Sequence, residues 1–232
     1  MNIAPFLARA FVDLDKGMQG ILNGTRIEGI KETISYYAIA SAIASMAAAA
    51  IPGGGGVVAA LAQAGIVWAT YVKINKTVGL SMSDETAKFI GNAILTNLIT
   101  SQGALLAGHV LAGIISLIPI AGSTVAIAGE AAIGYVVIYA SAYLYIKLLS
   151  RFVRPDGEIV IPDNEKTSEI IKEIMSREDM KGLFKEATKQ FKEARKSGEF
   201  DAAKSKLRCK NCGTEYEAGA HYCSMCGNDL TK

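Results

Sequence analysis

Apolar positions set the outline of this chain. Over residues 4–23, Phe6, Leu7, Phe11, Leu14, Met18, Ile21 and Leu22 recur at steps of three and four, with Arg9, Asp13, Asp15 and Lys16 between them. That spacing predicts an amphipathic helix, suited either to a membrane surface or to covering a bundle. A second helix is expected over about 27–50. It carries Glu28, Lys31 and Glu32 at its start and no charge from Thr33 on. Pro52 and the glycines behind it should end it, because proline cannot extend the hydrogen-bond ladder and glycine lets the chain reverse. Residues 57–76 read as the returning helix. Ser83, followed by Asp84 and Glu85, has the chemistry of a helix start, with a hydroxyl to cap and acids to meet the dipole. The helix it opens is expected over 84–100, with Phe89, Ile90, Ile94 and Leu98 on its apolar face and Lys88, Asn92 and Asn97 on the other. Ser101-Gln102-Gly103 predicts a break, followed by an apolar piece over 104–118. After Pro119 a last long helix is expected over 124–153.

The stretch Ile118–Leu149 repeats an earlier phrase. Laying Pro52 on Pro119 puts Gln63 on Glu130, Gly55 on Gly122 and Trp68 on Tyr135. Self-similarity of this kind predicts two helical hairpins, each with a Pro-plus-small-residue tip. Beyond Pro155-Asp156-Gly157, a turn, and a short extended piece over 158–163, the pattern becomes that of soluble helices. Ser176 with Asp179 resembles a capping-box start, and Leu183, Phe184, Ala187 and Phe191 share one face of a helix over 177–197. The expected class is all-α: a helical-hairpin bundle with a pseudo-repeat, soluble helices and a small metal module. The expected divisions are an amphipathic N-terminal helix (1–32), a hydrophobic hairpin domain (33–153), a charged helical linker (154–206) and a terminal module (207–232).

Charge changes this picture more than composition does. The net charge of +2 is uninformative. Residues 33–72 and 89–129 contain no acid, lysine or arginine, whereas soluble proteins average about a quarter charged residues. A membrane crossing needs about 20 apolar residues for about 30 Å, and the hairpins approach that length. Folding them as two hairpins puts the N-terminal arm, the 73–88 connection and the tail on one side. Every charge except Glu130 is then on that side or its margin, and the uncharged tips are the easy parts to insert. At mid-membrane Glu130 would have to be neutral, paired or in a wet crevice. The competing reading is a soluble bundle with an alanine-rich core. Ser41-Ser45-Ala49 and Ala104-Gly108-Ala112 would let helix backbones approach closely, within or between subunits. No secretory or lipidation signal is expected at the N-terminus.

Four cysteines, Cys209, Cys212, Cys223 and Cys226, form two CxxC pairs with ten residues between them. Four thiolates so spaced match a tetrahedral zinc site, closed and structural rather than catalytic. The glycine after each second cysteine suits a tight knuckle turn. The pattern resembles short zinc-ribbon modules, and it implies zinc as cofactor and a reducing, cytosolic location for the tail. No phosphate loop and no catalytic set is evident, so no enzyme activity is expected. His109 is alone in an apolar stretch. Gln63 and Glu130, at matching repeat positions, are with His109 the candidates for an intramembrane polar contact. The run 181–210 has ten basic and four acidic residues. It suits anionic lipid or a solvated face, and nothing in the chain suits nucleic acid.

The apolar helix, the IPGGG turn, the helix ending VKINKTVGLSMSDETAKFI and the second hairpin with LIPIAGS resemble, over about 35–150, the helical domain that accompanies small GTPases in bacterial YcjF-type inner-membrane proteins. The resemblance implies membrane association and a GTPase partner. This chain departs from it in having no GTPase domain and in ending on CxxC pairs. The expected function is a non-enzymatic, membrane-embedded scaffold or membrane-shaping protein. Its hairpins would sit in the bilayer and form a homo-oligomer. Its termini would be cytoplasmic and its zinc ribbon would dock a partner. The alternatives are an ion channel or transporter using Glu130 and His109, and a soluble helical adaptor of a GTPase.

Overall fold

The computed structural model describes residues 5–18, 22, 24–49, 55–115, 123–154 and 160–200, together with 211, 212, 222, 225, 226 and 228. Side chains are described within these except at 48–49, 55–62, 109–115 and 123–127. The described chain forms helices α1 (Pro5–Gly17), α2 (Gly24–Ala49), α3 (Gly55–Val78), α4 (Asp84–Ile115), α5 (Ser123–Phe152), α6 (Asn164–Arg177) and α7 (Met180–Lys196), with no β-strand among the described residues.

Helix α5 is the axis. It packs against each of the other six helices. Every residue from Gly134 to Ile146 is buried, so over that length no face of the helix meets solvent. This is where a helix apolar all round belongs, inside the core. The two expected hairpins are present as the packed pairs α2–α3 and α4–α5, and α2 makes its most extensive contact with α5. Between the hairpins the chain reverses at Gly79, whose φ of +80° needs no Cβ. The N–H groups of Gly79 and Leu80 both return to the Asn75 carbonyl at 2.9 Å, closing the end of α3.

The start of α4 follows its sequence signal: the Thr86 N–H donates to the Ser83 hydroxyl at 3.2 Å. Its middle does not. Ser101-Gln102-Gly103 leaves the helix unbroken. The Thr100 and Ser101 hydroxyls donate to the Thr96 and Asn97 carbonyls at 2.7 and 2.5 Å, which satisfies them on their own helix rather than in a turn. Helix α7 is capped by Asp179, whose carboxylate accepts from the Gly182 N–H at 2.9 Å. Ser176 belongs to the last turn of α6, where its hydroxyl donates to the Glu173 carbonyl at 2.8 Å.

The three amphipathic helices close the bundle. Phe6, Leu7, Ala10, Phe11 and Leu14 of α1 are buried, and α1 packs on α5. Leu183, Phe184, Ala187 and Phe191 of α7 are fully buried against α4 and α5. The charged segment 154–206, for all its lysines, therefore contributes two helices to the same core. After α5 the Val160 N–H returns to the Phe152 carbonyl at 3.0 Å, and the rest of the expected extended piece before it lies outside the described residues.

Candidate functional site

Tyr135, Tyr139, Tyr143 and Lys147 follow one another at four-residue steps, one stripe of α5. The stripe meets acids carried by the tail. The Tyr143 hydroxyl donates to the Glu178 carboxylate. Lys147 lies between Asp13 of α1 at 2.7 Å and Glu178 at 2.9 Å. One turn along, the Tyr139 hydroxyl and the Phe6 N–H both donate to Glu186, at 2.9 and 3.3 Å. Next come the Tyr135–Phe191 ring contact at 5.6 Å and the Ser35 hydroxyl donating to Glu199 at 3.4 Å. Burial raises the Tyr139 and Tyr143 hydroxyls above the ordinary tyrosine range, and Glu186 and Glu178 raise them further. Burial alone would lower Lys147, but its bonds to Asp13 and Glu178 outweigh that and raise it. Nothing in the sequence pattern of any single helix announced this array. The tyrosine spacing was the available signal, and its acidic partners lie in distant segments.

The contacts with acids run along α5 only to the turn of Tyr139. Toward the N-terminus of α5 the inter-helix polar contacts are between uncharged groups. The Ser41 hydroxyl donates to the Gln63 side-chain carbonyl at 2.8 Å and lies 2.9 Å from the Gly134 carbonyl. The Gln63 amide donates to Ser45 at 2.9 Å. Gln63 therefore ties α3 to α2, and the place opposite is Gly134 rather than Glu130, one turn away. Glu130 is exposed. The His109 side chain, Pro52 and Pro119 lie outside the described residues. With Ser41 and Ser45 buried inside the chain, their small-residue series serves internal packing, whereas Ala104 and Gly108 are exposed on α4.

Among the described residues two helical stretches, Asp84–Gly108 and Ala128–Phe152, are long and apolar enough to cross a membrane. They differ in what covers them. The most apolar window of the second is 89% buried under protein and that of the first 33%. The outward face of α4 shows Thr96, Ile99, Thr100, Ala104 and Gly108, with Ile99 52% exposed.

In the terminal module Asn211–Cys212 and Met225–Cys226 each form a turn, and both cysteines are exposed. A turn at the second cysteine of each CxxC pair, with glycine next, is the local shape a zinc knuckle requires, so the residues present fit the metal. Cys209 and Cys223 lie outside the described residues. Residues 208–230 match the zinc-ribbon domain family. No curated protein and no solved structure matches the chain, so the likeness of 35–150 to the YcjF-type helical domain rests on its sequence motifs alone.

Proposed function

We propose that this protein is a non-enzymatic membrane scaffold. Its uncharged end seats in lipid, and its charged end carries the zinc ribbon as a docking module on the cytoplasmic side. The observation that carries the reading is the polarity of the bundle. Tyr139, Tyr143 and Lys147 meet the acids of α1 and the tail, while residues 33–72 and 89–129 bring no charge to the other end. Water offers nothing to such an end, and lipid or a second copy does.

Cys209, Cys212, Cys223 and Cys226 would hold one zinc. A filled Cys₄ set supplies folding energy to the module and no open coordination position. Self-association would use the outward face of α4, where Ala104 and Gly108 permit close approach. The tail would meet a protein partner, for which a GTPase is the class the sequence resemblance implies. An ion path through Gln63 is less favoured, because α2 serines take both ends of its amide.

Membrane fractionation of the full chain tests the reading. Retention in the membrane pellet after carbonate washing is expected. Recovery in the soluble fraction without detergent, as a soluble GTPase adaptor would behave, contradicts it.

A further inference from the structure

The depth of seating follows from the same residues, and the argument rests on the membrane reading just given. A full crossing of about 30 Å takes about 20 residues of helix. Counted from the start of α5, that is Ser123 to Ala142. Such a crossing would carry Tyr135 and Tyr139 into the hydrocarbon with everything packed on them. Glu186, bonded to Tyr139 at 2.9 Å, would go in, as would Glu199, which accepts from Ser35 at 3.4 Å on the neighbouring helix. The far margin would reach Tyr143 and its partner Glu178. Ionised side chains are strongly disfavoured in hydrocarbon. The collar of α1, α6 and α7 would have to come off α5, exposing the Leu183, Phe184 and Phe191 face that it buries.

A shallow position avoids all of this. Glu130 is exposed, and between Ser123 and Glu130 there are seven residue steps, about 10 Å of helix. From Gly108 to the end of α4 at Ile115 there are again seven steps, about 10 Å. That reach is less than one leaflet, whose hydrocarbon is about 15 Å thick. Trp68 lies thirteen steps from the start of α3 at Gly55, about 20 Å of helix, with the Lys88 ammonium 4.5 Å over its ring.

We infer that the bundle is monotopic: it enters one leaflet end-on, with Glu130 at the headgroup level and the α1–α6–α7 collar stopping it there. The apolar run of α5 is core, not a transmembrane span. Glu130 then needs no partner inside the bilayer, and the apolar length of α5 is kept from lipid by the helices packed around it.

The chain's single tryptophan provides the test. The full-length protein is mixed with liposomes containing brominated lipids, which quench indole only where it meets acyl chains. Trp68 emission should be unchanged. In a Trp68→Phe background, Ile115→Trp should lose emission. Should Ile115→Trp misfold, Gly108→Trp, at an exposed position where a Cβ meets nothing within 4 Å, should be quenched by bromine near the headgroup and not by bromine near the chain end. Quenching of Trp68 as strong as that of Ile115→Trp would mean a full crossing and overturn the inference while leaving the membrane reading intact. Flotation with liposomes but no quenching at either introduced position would mean attachment by another face and overturn it too. A protein that does not float with liposomes overturns the membrane reading and the depth with it.

Discussion

Gly134 on α5 lies directly against Ser45 of α2: a Cβ at residue 134 would collide with the Ser45 hydroxyl oxygen. It would also fall 2.9 Å from the Gln63 amide and 2.9 Å from the Ser41 carbonyl. Backbone rather than side chain thus fills the crossing of the two hairpins, and the three polar groups close around it.

Gly134→Ala should therefore destabilise the bundle by about 1–3 kcal/mol, the usual cost of overpacking, despite alanine's better helix propensity. Denaturant unfolding measures it. Adding Ser45→Ala, which removes the nearest atom, should recover part of the loss.

Lys147 holds α1 and the α6–α7 junction to α5 through Asp13 and Glu178. Lys147→Met leaves two carboxylates facing one another without a cation. Both are partly exposed, so the cost should be about 1–2 kcal/mol rather than the larger value of a sealed pair. Asp13→Asn added to Lys147→Met should cost less than the sum of the separate changes, and a double-mutant cycle by chemical denaturation reads the difference.

Alkaline pH should unfold the bundle steeply. Tyr71, Tyr135, Tyr139, Tyr143 and Tyr145 all have hydroxyls raised above the ordinary value of 10.0, first of all by burial. Raised folded-state values mean that the unfolded chain loses these protons first. Stability is then complete below pH 10 and falls above it, by about 1.4 kcal/mol per pH unit for each tyrosine. Unfolding free energies that stay level through that range would contradict the buried array.

The two hairpins were legible because their breaks are glycine and proline, which act locally. The α7 core face was legible from its three-and-four spacing, and the metal module from its cysteines. What stayed hidden depended on long separations. Lys147 and Asp13 are 134 residues apart, and no periodicity within one helix announces such a pair. The repeat alignment placed Gln63 on Glu130, but equivalence in a repeat is not contact, and the residue opposite Gln63 is Gly134. Ser101-Gln102-Gly103 looked like a break because propensity ignores hydroxyls that can bond back to their own helix. The tail looked like a linker because its lysines outnumber the few apolar residues that do the packing.

The zinc ribbon should be separable from the bundle. Metal analysis should find one zinc per chain, and Cys212→Ser or Cys226→Ser should lower it. The far-ultraviolet circular dichroism of the helices should hold, since α1 to α7 bury their own core. Loss of helix on removing zinc would show that the two parts fold together.

Liposome flotation of the detergent-free full chain beside its Ile115→Glu variant tests the central claim most directly. Residue 115 ends α4, seven steps beyond Gly108, so the uncharged end acquires a carboxylate past the headgroup level. The native protein should float with the liposomes, and Ile115→Glu should float about tenfold less, the effect of about 1.4 kcal/mol in partitioning. Equal flotation of the two, or a native protein that stays behind as a monodisperse soluble monomer, would contradict it.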